Sequence, residues 1–150
     1  MPDPGFGGAL DGDTHVFPVR VYYEDTDAAG IVYYANYLKF AERGRTELMR
    51  ALGAEHREMA ERDGLAWAVR RCTIDYLRPA RLDDLLEVRT RVVEVGAARL
   101  DAEQVVRRDS VDLARLALRL ACIDLRGRPA RLPPATRAAL NAIIPPQSRA

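Results

Sequence analysis

The sequence predicts a single α+β domain in which one long helix packs against a run of antiparallel strands. The chain has 150 residues, 48% of them hydrophobic and 30% charged, which is typical of one globular domain. One segment has apolar residues at helical spacing, and five segments have strand patterns. Because the last four strands follow one another across short turns, we expect them to pair antiparallel under the helix. We place the domain at residues 15–144, between tails at 1–14 and 145–150.

The first half of the chain predicts a tail, a strand and the long helix. Residues 1–14 contain several Gly, Asp and Pro residues and are expected to be flexible. His15–Tyr23 is β-branched and aromatic, which predicts a strand, and Glu24–Gly30 has the composition of a turn. Ala35–Leu52 predicts the helix. One face of it carries five residues at spacings of three or four: Tyr37, Ala41, Gly44, Leu48 and Leu52.

Two small residues, Ala41 and Gly44, make the apolar face of this helix thin at its middle. A glycine inside a helix costs about 1 kcal/mol relative to alanine. Close approach of another backbone would compensate for that cost, so we expect the sheet to wrap the helix at Gly44. Glu42 and Glu47 are interpreted as residues of an exposed helix face or of ion pairs, such as Glu42 with Arg45.

The second half predicts a short helix, four strands and a closing helix that begins near Pro134. The short helix is Ala54–Asp63, and the strands are residues 65–76, Leu85–Val95, Arg99–Arg107 and Asp112–Leu125. The last strand contains the run LARLALRL, which fits a helix as well as a strand. The short turn before it and the preceding strands favour the strand. Three large apolar residues are interpreted as core: Met49, Met59 and Trp67.

Charge and cysteine content exclude several classes of protein. The 23 basic and 22 acidic residues give a net charge of +1, which offers no general reason to bind nucleic acid or an anionic membrane. Two cysteines are too few for a disulfide scaffold, and with two histidines they form no metal-binding pattern. Met1–Leu10 lacks a secretory pattern, and no stretch approaches the roughly 18 apolar residues of a membrane span. We therefore expect a cytoplasmic protein without a metal site.

The densest group of reactive side chains lies just before the long helix. Asp25 and Asp27 occupy the turn there, and the helix start offers unpaired N–H groups with a partial positive charge. Such groups can hold a carbonyl oxygen as it gains negative charge, while a carboxylate acts as nucleophile or general base on the same carbon. The pattern suits acyl transfer. On spacing alone, however, a structural role is favoured, in which either aspartate caps the turn or the helix.

Several short motifs run through this segment and beyond it. The specific ones are Arg20-Val21, Thr26-Asp27, Gly30-Ile31-Val32 and Asn36-Tyr37. Weaker ones are Arg78-Pro79-Ala80 with Asp83-Asp84-Leu85, then Ala121 to Asp124 and Gly127 to Pro133. Over about residues 15–135 the chain resembles hotdog-fold acyl-CoA thioesterases of the 4-hydroxybenzoyl-CoA thioesterase type. It is most similar to the Tol-Pal-associated acyl-CoA thioesterases of bacteria.

The resemblance implies a long central helix wrapped by a curved antiparallel sheet of about five strands. It also implies a dimer or tetramer with active sites between subunits, which hydrolyses an acyl-CoA to free acid and CoA without a metal or redox cofactor. Asp27 matches the catalytic carboxylate of the family and is expected to be catalytic. Tyr34 falls where a backbone N–H polarises the thioester carbonyl, and Gly30 and Asn36 match positions that place the substrate. Many relatives have His at the Tyr34 position, so only the N–H role is expected here.

Coenzyme A carries phosphates, so basic residues are expected at the rim of the site. Arg99, Arg126 and Arg128 are the candidates. The acyl group stays open, as does the choice between direct attack by Asp27 and activation of water. A non-catalytic acyl-CoA-binding or scaffold protein of the same fold is one alternative function. A hotdog dehydratase or hydratase is another, although no histidine or second acid–base group lies between Asp27 and Glu42.

Overall fold

The computed structural model describes residues 6–145, which form one antiparallel sheet and a set of helices. The strands are β1 (Ala9–Asp11), β2 (Thr14–Arg20), β3 (Ala66–Tyr76), β4 (Leu85–Val95), β5 (Arg99–Arg108) and β6 (Val111–Ile123). Their order in the sheet is β1-β2-β4-β5-β6-β3. The helices are α1 (Asn36–Ala51), α2 (His56–Glu58), which continues as a π-helical turn at Met59–Asp63, and α3 (Pro134–Ala142). The predicted α+β class is confirmed.

The inner face of the sheet packs against α1 and holds the core. Side chains of β4 alternate between this face and the outer face, so Leu86, Val88, Thr90 and Val92 are all buried. The helix lies against β1, β2, β4 and β5. Its predicted stripe is buried from Tyr37 to Leu48, because covering apolar surface on both elements stabilises them together.

The run LARLALRL forms a strand, as the turn before it predicted. It lies within β6, between β5 and β3, and pairs with both neighbours. Every second residue from Ala114 to Cys122 is buried. Its good intrinsic helix propensity is therefore outweighed by two strand ladders and a buried face.

The predicted N-terminal tail is wrong for part of its length. Ala9–Asp11 forms β1, which pairs antiparallel with β2 so that Leu10 faces His15. The sheet thus has six strands where about five were predicted, and the fold begins before residue 15. Three residues between glycines carry too little alternation to predict a strand. The edge of β2 supplies the hydrogen bonds that order them. Residues 1–5 and 146–150 of the two predicted tails lie outside the described part of the chain.

Close approach to Gly44 is confirmed, but side chains make it and not a second backbone. A Cβ atom at Gly44 would lie 2.7 Å from Val88 Cγ1 and 3.4 Å from both Gln104 Nε2 and Thr90 Oγ1. Gln104 is buried and donates hydrogen bonds to the Ala41 carbonyl at 2.8 Å and to Thr90 Oγ1 at 2.9 Å. Because Gly44 has no side chain, α1 packs closely on the hydrogen-bonded pair of Gln104 and Thr90, which links β5 to β4.

The interpretation of Glu42 and Glu47 holds, because Glu42 is exposed and Glu47 forms an ion pair with Arg50 at 3.2 Å. The particular pair of Glu42 with Arg45 is absent from residues 6–145. Arg45 turns inward, and its guanidinium donates to Gln104 Oε1 at 3.0 Å. Both ends of the Gln104 amide are thus satisfied. The hydrogen bond to a buried amide outweighs an exposed i, i+3 pair, which contributes only about 0.2–0.5 kcal/mol.

His15 is a buried titratable group in the middle of this packing. Its side chain is 0% exposed on β2, beside β1 and near Glu47 of α1. Burial lowers the pKa of His15 from its ordinary value of 6.5. The Gly7 backbone and the Glu47 carboxylate act in the opposite direction, but neither gives a ring nitrogen a hydrogen bond of ordinary geometry within residues 6–145.

We expect the fold to lose stability as the pH falls below 6.5, because the unfolded chain then protonates His15 more readily than the folded chain does. His15→Leu should flatten the dependence of the unfolding free energy on pH between 7 and 5, measured by urea denaturation. The limiting slope for one such group is about 1.4 kcal/mol per pH unit. The pH dependence of the unfolding free energy is compared with that of His56→Gln, because burial also lowers the pKa of His56. A slope equal to that of the parent in His15→Leu would contradict this prediction.

Candidate active site

A short irregular segment joins β2 to α1 and is held by its own backbone. Tyr23–Asp25 forms one turn of 3₁₀ helix. The Asp25 carboxylate accepts the N–H of Tyr22 at 2.8 Å, and its carbonyl accepts the N–H of Tyr33 at 2.8 Å. The Asn36 side chain donates to the same carbonyl at 2.9 Å. Asp25 and Asn36 therefore fix the position of the loop against the start of α1.

Asp27 lies in the site loop, residues 26–32, and is exposed. The Asp27 N–H donates to the Ile31 carbonyl at 2.9 Å, and the Asp27 carbonyl accepts the Gly30 N–H at 3.0 Å. This tight closure uses Gly30 at a φ of 78°, in the left-handed region that glycine adopts without strain. Gly30 thus shapes the backbone that presents Asp27.

The carboxylate of Asp27 is held by one oxygen only. Oδ1 accepts the N–H of Ala29 at 2.8 Å, whereas Oδ2 has no hydrogen-bond partner within residues 6–145. Asp27 lines an open concavity of about 430 Å³ together with Tyr23, Thr26 and Leu82. One oxygen therefore orients the group, and the other is available to a substrate or a water molecule.

The start of α1 supplies N–H donors beside this loop. The N–H of Asn36 donates to the Tyr33 carbonyl at 2.8 Å, but those of Tyr34 and Ala35 reach no acceptor in the described part of the chain. Free donors at this position belong to the unpaired end of a helix. An oxygen atom that gains negative charge is the kind of ligand they favour.

Four aromatic rings, the tyrosine cluster, surround the helix start: Tyr33, Tyr34, Tyr37 and Tyr76. Neighbouring ring centroids lie 4.9 to 6.3 Å apart in edge-to-face contacts within and beside the cluster. The Tyr76 hydroxyl donates to the Tyr34 carbonyl at 2.8 Å. Burial first, and then Tyr34, raise the pKa of Tyr76, which keeps this donor protonated. No sequence pattern marks Tyr76, because it meets Tyr34 only through the fold, 42 residues along the chain.

The three arginine candidates lie at the other end of the sheet. Arg99 begins β5, where it pairs with Glu94 at 2.9 Å and lies 3.7 Å from Asp101. Arg126 and Arg128 are exposed on the turn after β6. The site loop instead bridges to Arg81, just before β4 begins. The length of β4 therefore separates Asp27 from the arginines by roughly 30 Å within one chain. The structure brings the arginines near one another but not near Asp27.

Two further properties concern metals and membranes. Among residues 6–145, no group of three or more His, Cys, Asp or Glu side chains is arranged to hold a metal ion. No helix in that range is long and apolar enough to cross a membrane.

Comparison with known proteins assigns the family. Residues 21–140 match the model of the Thioesterase-like superfamily. The Haemophilus influenzae protein named Acyl-CoA thioesterase YbgC is 45% identical over 126 residues, which are 83% of this chain and 93% of that protein. The Escherichia coli O6:H1 protein named Acyl-CoA thioester hydrolase YbgC is 42% identical over 120 residues, or 78% and 88% of the two chains.

A solved structure is similar as well. The probable thioesterase from Bartonella henselae superposes with a TM-score of 0.78 at 39% identity, over 80% of this chain and 99% of that one. The predicted hotdog fold and thioesterase family are thereby confirmed, while the implied association with the Tol-Pal system stays a prediction. The family model covers the loop that carries Asp27 and four of the sheet's strands, β3 to β6, and the chain belongs to the Thioesterase-like superfamily.

Proposed function

We propose that this protein hydrolyses acyl-CoA thioesters to free acid and CoA, with Asp27 as the catalytic carboxylate. One observation carries the proposal. The unpaired Oδ2 of Asp27 lies in the loop that leads into α1, and the N–H groups of Tyr34 and Ala35, directly before the helix begins, are also unpaired. Hydrolysis requires such a pair of functions, since one group must deliver the nucleophile and another must hold the carbonyl oxygen. The names of the two YbgC relatives support acyl-CoA as the substrate.

Both routes for Asp27 give the same products. In one, Oδ2 attacks the thioester carbon, the C–S bond breaks, and water cleaves the resulting anhydride. In the other, Oδ2 takes a proton from water, whose oxygen attacks the carbon as CoA leaves and is protonated. Tyr34 and Ala35 would donate to the carbonyl oxygen in each route. Water is the second substrate, so the reaction calls for no metal or redox cofactor.

A second copy of the chain is proposed to complete the site. At one edge of the sheet, β1 has three residues, whereas β3 at the other edge has eleven, with unpaired backbone groups along its free side. Val69, Tyr76 and Leu77 are large apolar residues exposed along or just after β3. A long free edge with apolar side chains favours pairing with another chain. A homodimer joined along β3 is therefore proposed, and further pairing into a tetramer stays a prediction.

The dimer also gives the arginines a role. When two β3 strands pair antiparallel, the start of β3 in one copy lies beside the end of β3 in the other. Arg99, Arg126 and Arg128 of one copy would then approach the Asp27 end of the other copy. We assign them to the phosphates of CoA on that basis, and we assign the protein to the cytoplasm, where acyl-CoA is available.

Release of CoA tests the function directly. The purified chain, given acyl-CoA and a thiol-reactive dye, is expected to release one thiol for each free acid detected by mass spectrometry. Binding of acyl-CoA without release would support the alternative of a binding or scaffold protein. Water addition to or loss from an acyl chain that keeps its thioester would support a hydratase or dehydratase. Either outcome contradicts the proposal.

A further inference from the structure

The site loop packs against a second loop, residues 77–84 between β3 and β4, which we call the support loop. The two loops run antiparallel where Ile31 bridges to Arg81. Beside this bridge the Val32 N–H donates to the Ala80 carbonyl at 2.9 Å, and both residues are buried. The position of the site loop therefore depends on the position of the support loop.

A side chain of α1 holds the middle of the support loop. The Tyr37 hydroxyl accepts the Ala80 N–H at 3.0 Å, and this hydrogen bond is buried. Ala80 is thus bound to α1 through its N–H and to the site loop through its carbonyl. Tyr37 is the second residue of α1, and the free N–H groups of Tyr34 and Ala35 lie directly before that helix. The Tyr37 hydroxyl consequently ties the site loop to the helix start that carries these donors.

An ion pair holds the support loop from the side of the sheet. Arg108, the last residue of β5, places Nη1 2.6 Å from Asp84 Oδ2 and 3.4 Å from the Pro79 carbonyl oxygen. Asp84 Oδ2 also accepts the Arg81 N–H at 2.8 Å. Burial acts to raise the pKa of Asp84, but the hydrogen bonds from Arg81 and Arg108 outweigh burial and lower that pKa. The guanidinium group therefore binds a charged carboxylate and spans the support loop from Pro79 to Asp84.

We propose that Tyr37 and Arg108 are positioning residues for hydrolysis, which act through the support loop to fix Asp27 relative to the N–H groups at the helix start. This inference rests on the proposed function, since it concerns the geometry of that site. Neither side chain lines the concavity that Asp27 lines, so neither is assigned a contact with the substrate. Leu82 of the support loop does line it, which places this loop directly beside the reacting groups.

The exposure of the site loop explains why it needs this support. Residues 27–30 are exposed, whereas Val32 is buried and is held by the support loop. Hydrolysis requires the carboxylate and the N–H donors to meet at one carbonyl group. A misplacement of about 1 Å between reacting groups lowers a rate by as much as about 10²-fold. Contacts that hold Val32 therefore affect the rate although they lie outside the concavity.

Arg108→Gln removes the charge that binds Asp84. We expect kcat for acyl-CoA hydrolysis to fall about 10- to 100-fold with little change in KM, because the placement of the reacting groups is lost while contacts to the substrate remain. Arg108→Lys, which keeps a positive charge and N–H donors for Asp84, should recover most of the lost kcat. A lysine variant as slow as the glutamine variant would contradict the role of the ion pair.

The matched control is Arg107→Gln, one residue earlier on β5. Arg107 pairs with Asp112 at 2.9 Å, and the side chains of Arg107 and Arg108 are equally exposed, at 31%. Both glutamine variants should melt within a few degrees of the parent, since partly exposed ion pairs contribute little to stability. Only Arg108→Gln should lose kcat. Equal losses of kcat in the two variants, or parental kcat in Arg108→Gln, would overturn the proposal.

Tyr37→Phe deletes the oxygen that accepts the Ala80 N–H and keeps the aromatic ring. This variant should also lower kcat more than it raises KM. Because both residues act through one loop, the loss of kcat in the double variant Tyr37→Phe/Arg108→Gln should be smaller than the product of the two single losses. Losses that simply multiply would show that the two residues act independently, which contradicts a shared support loop.

Hydrogen exchange at the Val32 amide, followed by NMR without substrate, gives a readout that is independent of hydrolysis. We expect exchange to be at least about tenfold faster in Arg108→Gln and in Tyr37→Phe, because the loop opens more often, and parental in Arg107→Gln. This result would support the coupling of the two loops even if no thioester were hydrolysed. Unchanged exchange in both variants would overturn the positioning roles even if CoA release were observed.

Discussion

Asp27→Asn is expected to lower kcat for acyl-CoA hydrolysis by roughly 10²–10⁴, the usual contribution of a general acid or base. Asparagine keeps an oxygen that can accept the Ala29 N–H, which now bonds to Oδ1 at 2.8 Å. The loop should therefore retain its shape. What is lost is the negative charge on the unpaired oxygen, without which the side chain can neither attack the carbonyl carbon nor take a proton from water.

The matched control is Asp25→Asn, two residues earlier in the same loop. Its carboxylate accepts the Tyr22 N–H, and an amide oxygen can accept the same bond. Its carbonyl, which holds Tyr33 and Asn36, is not changed by the substitution. We expect this variant to lose far less activity than Asp27→Asn, with similar melting temperatures for both. Equal and mild losses at the two positions would show that Asp27 is not the catalytic carboxylate.

The contrast between the two aspartates shows what sequence and structure each contribute. Spacing alone left both free to act as caps, and in the structure each carboxylate accepts one backbone N–H, from Tyr22 at Asp25 and from Ala29 at Asp27. The two differ in exposure, because Asp27 is exposed and lines a concavity, whereas Asp25 is half-buried. This difference depends on the folded loop. The family motif predicted Asp27 as the catalytic carboxylate before any geometry was known, and the Asp27→Asn variant tests that prediction.

Regular alternation and local turn chemistry predicted most of the strands. The expected pairing of successive strands is wrong for β3, which lies beside β6 and not beside β4. The bounds of β4 agree with the prediction, since its inward residues are all apolar or β-branched. Features made by long-range contact were not predictable. Tyr76 reaches Tyr34 only because β3 lies at the edge beside the helix start. Arg99 was predicted to contact CoA from its position in the sequence alone. Its distance from Asp27 depends on the length of β4, which lies between them.

Gly44→Leu is expected to cause a large loss of stability. A Cβ atom added at this position would lie 2.7 Å from Val88 Cγ1, and Val88 is fully buried on β4. Overpacking of this kind costs about 1–3 kcal/mol. The longer side chain would also displace Gln104 from the Ala41 carbonyl and from Thr90, and each buried polar group left unpaired costs about 1–3 kcal/mol more. The gain of about 1 kcal/mol in helix propensity is smaller than these losses together.

The measurement is thermal unfolding followed by circular dichroism, with CoA release on the soluble fraction. We expect Gly44→Leu to be insoluble or to melt about 10–15 °C below the parent. Arg43→Leu, on the exposed side of the same turn, should melt within a few degrees of it. Because Gly44→Leu alone could fail to fold, a second comparison uses Gly44→Ala with and without Val88→Ala.

Removing Val88 Cγ1 should relieve the contact that the new Cβ makes. The double variant is therefore expected to be more stable than the sum of the two single losses predicts, by about 0.5–3 kcal/mol of coupling between residues in contact. Simple additivity would mean that α1 does not press on β4 at Gly44. The same contact sets the position of α1, which directly follows the Tyr34 N–H and the loop that carries Asp27. The soluble Gly44→Ala variant should consequently lose activity together with stability, and the double variant should recover part of both.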